Sequence, residues 1–203
     1  MYDLVKLGLV ALFLFLRLVA PVAAGSLGDA DVAYSRGDYA TAMRLLRPLA
    51  EQGDPAAQYK VGILYETGHG VPQDYAEAMQ WYRKAADQGD PNAQHNVGVL
   101  YTEGHGVPQD YGEALKWYRK AADQGLTEAM YNVGVLYAEG YGVPVDNVQA
   151  HMWFSLAATR AAPSDRAPAI KARDLVGAKM TAPQIAEAQK LAREWKPRIS
   201  GGK

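Results

Sequence analysis

The residues able to do chemistry in this chain are few, and most of them recur. His69 and His105 stand 36 residues apart at the same place in two copies of one loop. Imidazoles ligate zinc readily, but a shared ion needs its ligands about 2 Å away. Equivalent loops on stacked helices lie roughly 8–10 Å apart, and the third copy carries Tyr141 at this place. The two histidines are therefore read as exposed loop residues, with no metal site. Nucleophilic chemistry fares no better. The chain has no cysteine, so it offers no thiolate, no disulfide and no Cys-based metal site. Ser26, Ser35, Ser155, Ser164 and Ser200 sit in no glycine elbow and beside no recurring histidine. Glu103 and Glu139 recur because the surrounding segment recurs, as solvated helix ends rather than as an acid–base pair. The pairs Trp81-Tyr82 and Trp117-Tyr118 could stack on sugars or bases, but their spacing puts them on a stripe that faces a core. No catalytic residue, metal or cofactor is assigned.

What positions these residues is a repeat. Asp54–Gly89 reads DPAAQYKVGILYETGHGVPQDYAEAMQWYRKAADQG, and Asp90–Gly125 follows it without a gap, identical at 27 of 36 positions. Leu126–Ala161 shares 17 identities with the middle copy. Self-similarity at this period marks a solenoid, in which each unit buries its apolar face only by stacking on the next. Each copy divides into two helices. Asp54-Pro55 and Asp90-Pro91 pair an N-cap with proline in the first turn. The first helix then carries Ala57, Val61, Gly62 and Tyr65 on one face. Gly62, Gly98 and Gly134 fall mid-helix, where glycine costs about 1 kcal/mol against alanine. Close approach of the partner helix is the expected compensation. A Gly-His-Gly-Val-Pro loop ends that helix, and Asp74, Asp110 and Asp146 cap the second. There Ala78, Trp81, Tyr82 and Ala85 form the apolar stripe.

The ends differ from the middle. Residues 25–53 form a degenerate first unit, capped at Asp38, without the glycine-valine-proline loop. Residues 162–203 form a helical cap and tail. Pro163–Lys179 reads as one helix with Ile170, Leu175 and Val176 as its apolar contacts. A second begins at Thr181, which makes a capping box with Gln184 and presents Ile185, Ala188, Ala192 and Trp195. Before all of these, Lys6 precedes the apolar run Leu7–Leu16, and Val22-Ala23-Ala24 offers small residues for cleavage. Residues 1–24 thus read as a secretory signal peptide, so the mature chain is expected to be periplasmic or secreted. The alternative is an inner-membrane anchor through residues 4–24. The formal net charge is −1, but residues 25–159 hold 9 Lys/Arg against 17 Asp/Glu, and residues 160–203 hold 10 against 4. An acidic body carries a basic end. The expected fold is all-α, an α/α superhelical solenoid of three full hairpins, residues 54–89, 90–125 and 126–161, between atypical ends.

The pattern Ala57, Val61-Gly62, Tyr65, Gly68, Gly70-Val71, Asp74, Ala78, Trp81-Tyr82, Lys84-Ala85-Ala86, Gly89 resembles the Sel-one-like repeat, a branch of the tetratricopeptide superfamily. It recurs in residues 90–125 and, less fully, in 126–161, where Phe154 and Leu156 replace a tyrosine and a lysine. The resemblance implies a non-enzymatic protein–protein interaction module or adaptor, here of the cell envelope. Cysteine-rich members with penicillin-related activities are not a guide to a chain without cysteine. In tetratricopeptide-type hairpins a partner lies in the concave groove, along first-helix positions turned away from the second helix. Here those are Tyr59, Lys60 and Ile63, then His95, Asn96 and Val99, then Tyr131, Asn132 and Val135. Rings and amides at one-repeat spacing suit a protein or peptide segment rather than nucleic acid. An enzyme acting on the cell wall and a structural accessory of an envelope complex are the competing readings.

Overall fold

The computed structural model describes residues 26–198, and the leader expected over residues 1–24 lies outside them. The described residues form ten helices and no strand. They are α1 (Leu27–Ser35), α2 (Tyr39–Glu51), α3 (Pro55–Thr67), α4 (Tyr75–Asp87), α5 (Pro91–Glu103), α6 (Tyr111–Asp123), α7 (Thr127–Glu139), α8 (Asn147–Arg160), α9 (Arg166–Gly177) and α10 (Ala182–Glu194). Each helix from α1 to α9 packs on its neighbour in the chain, and α10 returns to pack on α8. This is the helical solenoid that the repeat implies. The degenerate first unit is itself a hairpin, closed by a short turn at Gly37.

Local chemistry sets the helix ends. The Asp54 and Asp90 carboxylates accept from the Ala57 and Ala93 amides at 2.8 and 2.7 Å. Asp74, Asp110 and Asp146 do the same for the second helices, satisfying amides that have no partner inside the helix. In the third unit Leu126 stands where the other copies have aspartate, and α7 has no side-chain cap. The capping box of Thr181 and Gln184 is present. The helix expected over Pro163–Lys179 is shorter. The Asp165 amide donates to the Ala162 carbonyl oxygen at 2.9 Å, so a turn precedes α9.

The core is a row of contacts between neighbours. Trp81, Tyr82, Trp117, Tyr118, Trp153 and Phe154 are all buried, as their spacing predicts. Gly62, Gly98 and Gly134 explain how the rings fit. A Cβ built on them would stand 2.5 Å from the Tyr82 ring, 2.6 Å from Tyr118 and 2.7 Å from Phe154. The ring of the second helix lies directly on the backbone of the first. The two glutamines buried at the unit junctions are satisfied. Gln58 and Gln94 donate to the carbonyl oxygens of Ala50 and Ala86, at 3.0 and 3.1 Å, and accept from Gln88 and Gln124, both at 2.8 Å.

Two expectations are corrected. His69 and His105 are not free in solvent. His69 stacks on Tyr39 with centroids 4.2 Å apart, His105 on Tyr75 at 4.3 Å, and Tyr141 on Tyr111 at 4.7 Å. Each loop thereby docks on the first residue of the preceding unit's second helix. Gly106 lets it come that close, because a Cβ there would meet the Tyr75 carbonyl carbon at 2.5 Å. Ile170 and Leu175 are not core residues of α9, being 37% and 60% exposed; Val176 is buried as expected, and Ala169 is buried with it. The helix is rotated relative to the expected face, and α8 is the helix it packs on most extensively.

Gly98→Leu should lower the melting temperature far more than His105→Ala. Overpacking typically costs about 1–3 kcal/mol or more, and here even a Cβ has no room. Loss of one stacked ring costs about 0.5–1.5 kcal/mol. Equal melting temperatures for the two variants, measured by circular dichroism, would contradict the packing account.

Candidate functional site

The first helices α3, α5 and α7 carry the residues expected to bind, and the structure orders them as a ladder. Tyr59 leans on Tyr82 with centroids 5.7 Å apart, His95 on Tyr118 at 5.5 Å and Tyr131 on Phe154 at 5.4 Å. Their faces are thus tied to the second helix rather than turned wholly away from it. Polar groups then cross from unit to unit. Asn96 lies near the Tyr59 and Tyr82 phenols of the preceding hairpin, and the Tyr82 hydroxyl donates to the Glu66 carboxylate. His95 Nε2 lies 3.0 Å from Asn132 Nδ2, and its Nδ1 lies 3.2 Å from Asn96 Oδ1. One neutral tautomer satisfies both contacts, with Nδ1–H donating to Asn96 and Nε2 accepting from Asn132. Burial favours that state by lowering the His95 pKa, against a smaller opposing effect of the Asn96 hydrogen bond. Burial also pushes the Tyr118 phenol up to about 12.

The ladder ends at Tyr131. Lys60, Asn96 and Asn132 occupy one register position, and the residue one period beyond Asn132 is Pro168. Proline offers no side-chain donor or acceptor, and the Tyr131 hydroxyl has no hydrogen-bond partner among the described residues. Two cavities open on either side of Tyr131, between α7 and α9. The first, of about 340 Å³, is lined by His95, Tyr131 and Asn132 together with Thr127, Glu128, Ala157, Ala161, Asp165, Pro168 and Ala169. The second, of about 370 Å³, is lined by Tyr131, Val135 and Phe154 with Ala138, Glu139, Ala172, Leu175, Val176 and Lys179.

Of the nine residues expected to bind, His95, Tyr131, Asn132 and Val135 line these cavities. Tyr59, Lys60, Ile63, Asn96 and Val99 do not. Ile63 and Val99 are half-buried against the core of the following junction. Lys60 is no isolated cation, since its Nζ lies 2.6 Å from Asp31 of the first unit. The sequence reading missed Glu128, Ala157, Ala161, Asp165 and Ala169. Four of these belong to α8 or the segment after it, and the break in register at Pro168 was the available signal. Among the described residues no three His, Asp or Glu side chains gather where they could hold a metal, and no helix is long and apolar enough to cross a membrane.

Comparison with known proteins agrees with this architecture. A model of the Sel1 repeat matches at residues 26–54, 55–90, 91–126 and 127–161. Residues 26–54, degenerate by eye, are thus also recognised. The chain is similar to c5321, a protective antigen present in uropathogenic Escherichia coli strains and displaying an SLR fold. Identity is 33% over 83% of this chain and 38% of that one, with a TM-score of 0.71. This chain therefore spans well under half of that protein's length. It is also similar to a Sel1 repeat protein from Oxalobacter formigenes, 31% identical over 82% of this chain and 74% of that one, with a TM-score of 0.65. No curated protein matches it. Four consecutive repeat matches, on hairpins that pack as a helical solenoid, carry the conclusion: the chain belongs to the Sel1 repeat family, whose repeats generally build protein-interaction modules.

Proposed function

We propose that this protein is a non-enzymatic adaptor of the cell envelope that holds a protein or peptide segment in the groove along α3, α5 and α7. The observation that carries the reading is Tyr131. Its ring is braced on Phe154, its hydroxyl has no hydrogen-bond partner among the described residues, and cavities flank it on both sides. A rigid aromatic with a free polar tip, beside an amide and an imidazole, is the usual composition of a recognition hot spot. The elongated arrangement, one ring per repeat, favours an extended chain over a small metabolite. The envelope assignment rests on Lys6, the apolar run Leu7–Leu16 and the small residues Val22-Ala23-Ala24.

Tyr131→Ala combined with Asn132→Ala should abolish capture of the partner, because truncating one hot-spot tyrosine commonly costs at least about 1–2 kcal/mol of binding. Helicity and hairpin packing should persist. If the double variant retrieves the same envelope protein at wild-type yield, the groove is the wrong surface. N-terminal sequencing of the native protein from an envelope fraction should begin at Gly25, and a start at Met1 in the membrane would favour the anchor instead.

A further inference from the structure

The cavity beside His95, Tyr131 and Asn132 has two halves of different chemistry. Ala157, Ala161, Pro168 and Ala169 make an apolar wall, while Glu128 and Asp165 bring two carboxylates to the rim. Neither carboxylate has a cation. Glu128 accepts only from the Thr127 hydroxyl, at 3.0 Å, and Asp165 makes no side-chain cap to α9. Among the described residues neither forms an ion pair. No lysine or arginine lines the cavity. Arg166 follows Asp165 in the chain, but its Nε donates to the Ala161 carbonyl oxygen at 2.9 Å. The body that supplies the α7 side is acidic, with 9 Lys/Arg against 17 Asp/Glu over residues 25–159, whereas the α9 side belongs to the basic end, with 10 against 4 over residues 160–203.

We propose that this cavity takes one basic side chain, arginine or lysine, from the segment held in the groove. The inference rests on the groove reading above and adds the chemistry of one position. An aliphatic stem fits the alanine and proline wall, and a cationic head reaches the two carboxylates. A volume of about 340 Å³ lies at the low end for ligand sites, so it suits one side chain rather than a folded element. Tyr131, with its unpartnered hydroxyl, and Asn132 line the same cavity and would meet the backbone of the bound segment. An acidic or plain aliphatic side chain is disfavoured, the first by like charge and the second because it offers the two carboxylates no cation. The acidic body steers basic segments toward the site and should make their association salt-dependent.

The test uses synthetic heptapeptide pools with random flanks and a central residue fixed as arginine, lysine, norleucine or glutamate. Binding to the purified chain is followed by fluorescence anisotropy at low and physiological salt. The arginine and lysine pools should bind at least about tenfold more tightly than the norleucine pool, in line with a charge-assisted hydrogen bond. The glutamate pool should bind weakest. Glu128→Gln with Asp165→Asn should erase the preference while leaving the melting temperature unchanged, since both residues are exposed. If norleucine binds as well as arginine, or if the double variant keeps the preference, the basic-residue inference fails. The groove reading then still stands, provided that Tyr131→Ala with Asn132→Ala abolishes binding of every pool. If no pool distinguishes the wild-type chain from that groove variant, the groove reading fails and this inference with it.

Discussion

An aromatic ring laid on a glycine sets the spacing of every full hairpin in this protein. Tyr82 covers Gly62, Tyr118 covers Gly98 and Phe154 covers Gly134, each so closely that a Cβ would stand 2.5–2.7 Å from the ring. Glycine in a helix interior is unfavourable by about 1 kcal/mol. A buried aromatic in close contact with backbone offsets this through the large apolar area that it removes from water. The contact also holds the two helices near enough for Trp81, Trp117 and Trp153 to close the adjoining layer. Because the same contact recurs in each unit, the whole solenoid inherits its geometry from this one pair.

Between units a second set of contacts takes over. The loop ring stacks on the tyrosine that begins the preceding unit's second helix. The Gln58 and Gln94 amides close the junctions from inside, and Arg83 and Arg119 lie over Trp117 and Trp153 of the next unit. Stability of this kind is close to a sum of nearest-neighbour terms. It has a consequence for function. Wherever the next unit departs from the pattern, the groups that would have been paired are left open. Tyr131 is such a group. Its register partner is Pro168, α9 stands apart from α7, and the space between them is the pair of cavities.

The repeat made most of the fold legible in advance. Aspartate-proline starts, mid-helix glycines and the apolar stripe of the second helix each have one physical meaning, and each recurs often enough to be read. The close approach at Gly98 follows from the cost of glycine alone. Periodicity could not supply what happens where it stops. The exposure of Ile170 and Leu175 depends on how α9 rolls on α8, which no repeat encodes. Glu128 and Asp165 lie on different elements, and only the placement of α9 brings them to one rim. The Lys60–Asp31 pair and the stacking of His69 and His105 were missed for a related reason. Both join a unit to its neighbour, and spacing within one unit says little about side-chain reach across a junction.

The central claim is that the ring of the second helix, and nothing else, demands glycine on the first. A double-mutant cycle on Gly98 and Tyr118 addresses it directly. Gly98→Ala in the wild-type chain should destabilise, because the new Cβ meets the Tyr118 ring. In a Tyr118→Leu background the same substitution should be neutral or stabilising by up to about 1 kcal/mol, since alanine is the better helix former. Equal destabilisation by Gly98→Ala in both backgrounds, measured by urea unfolding, would contradict the account.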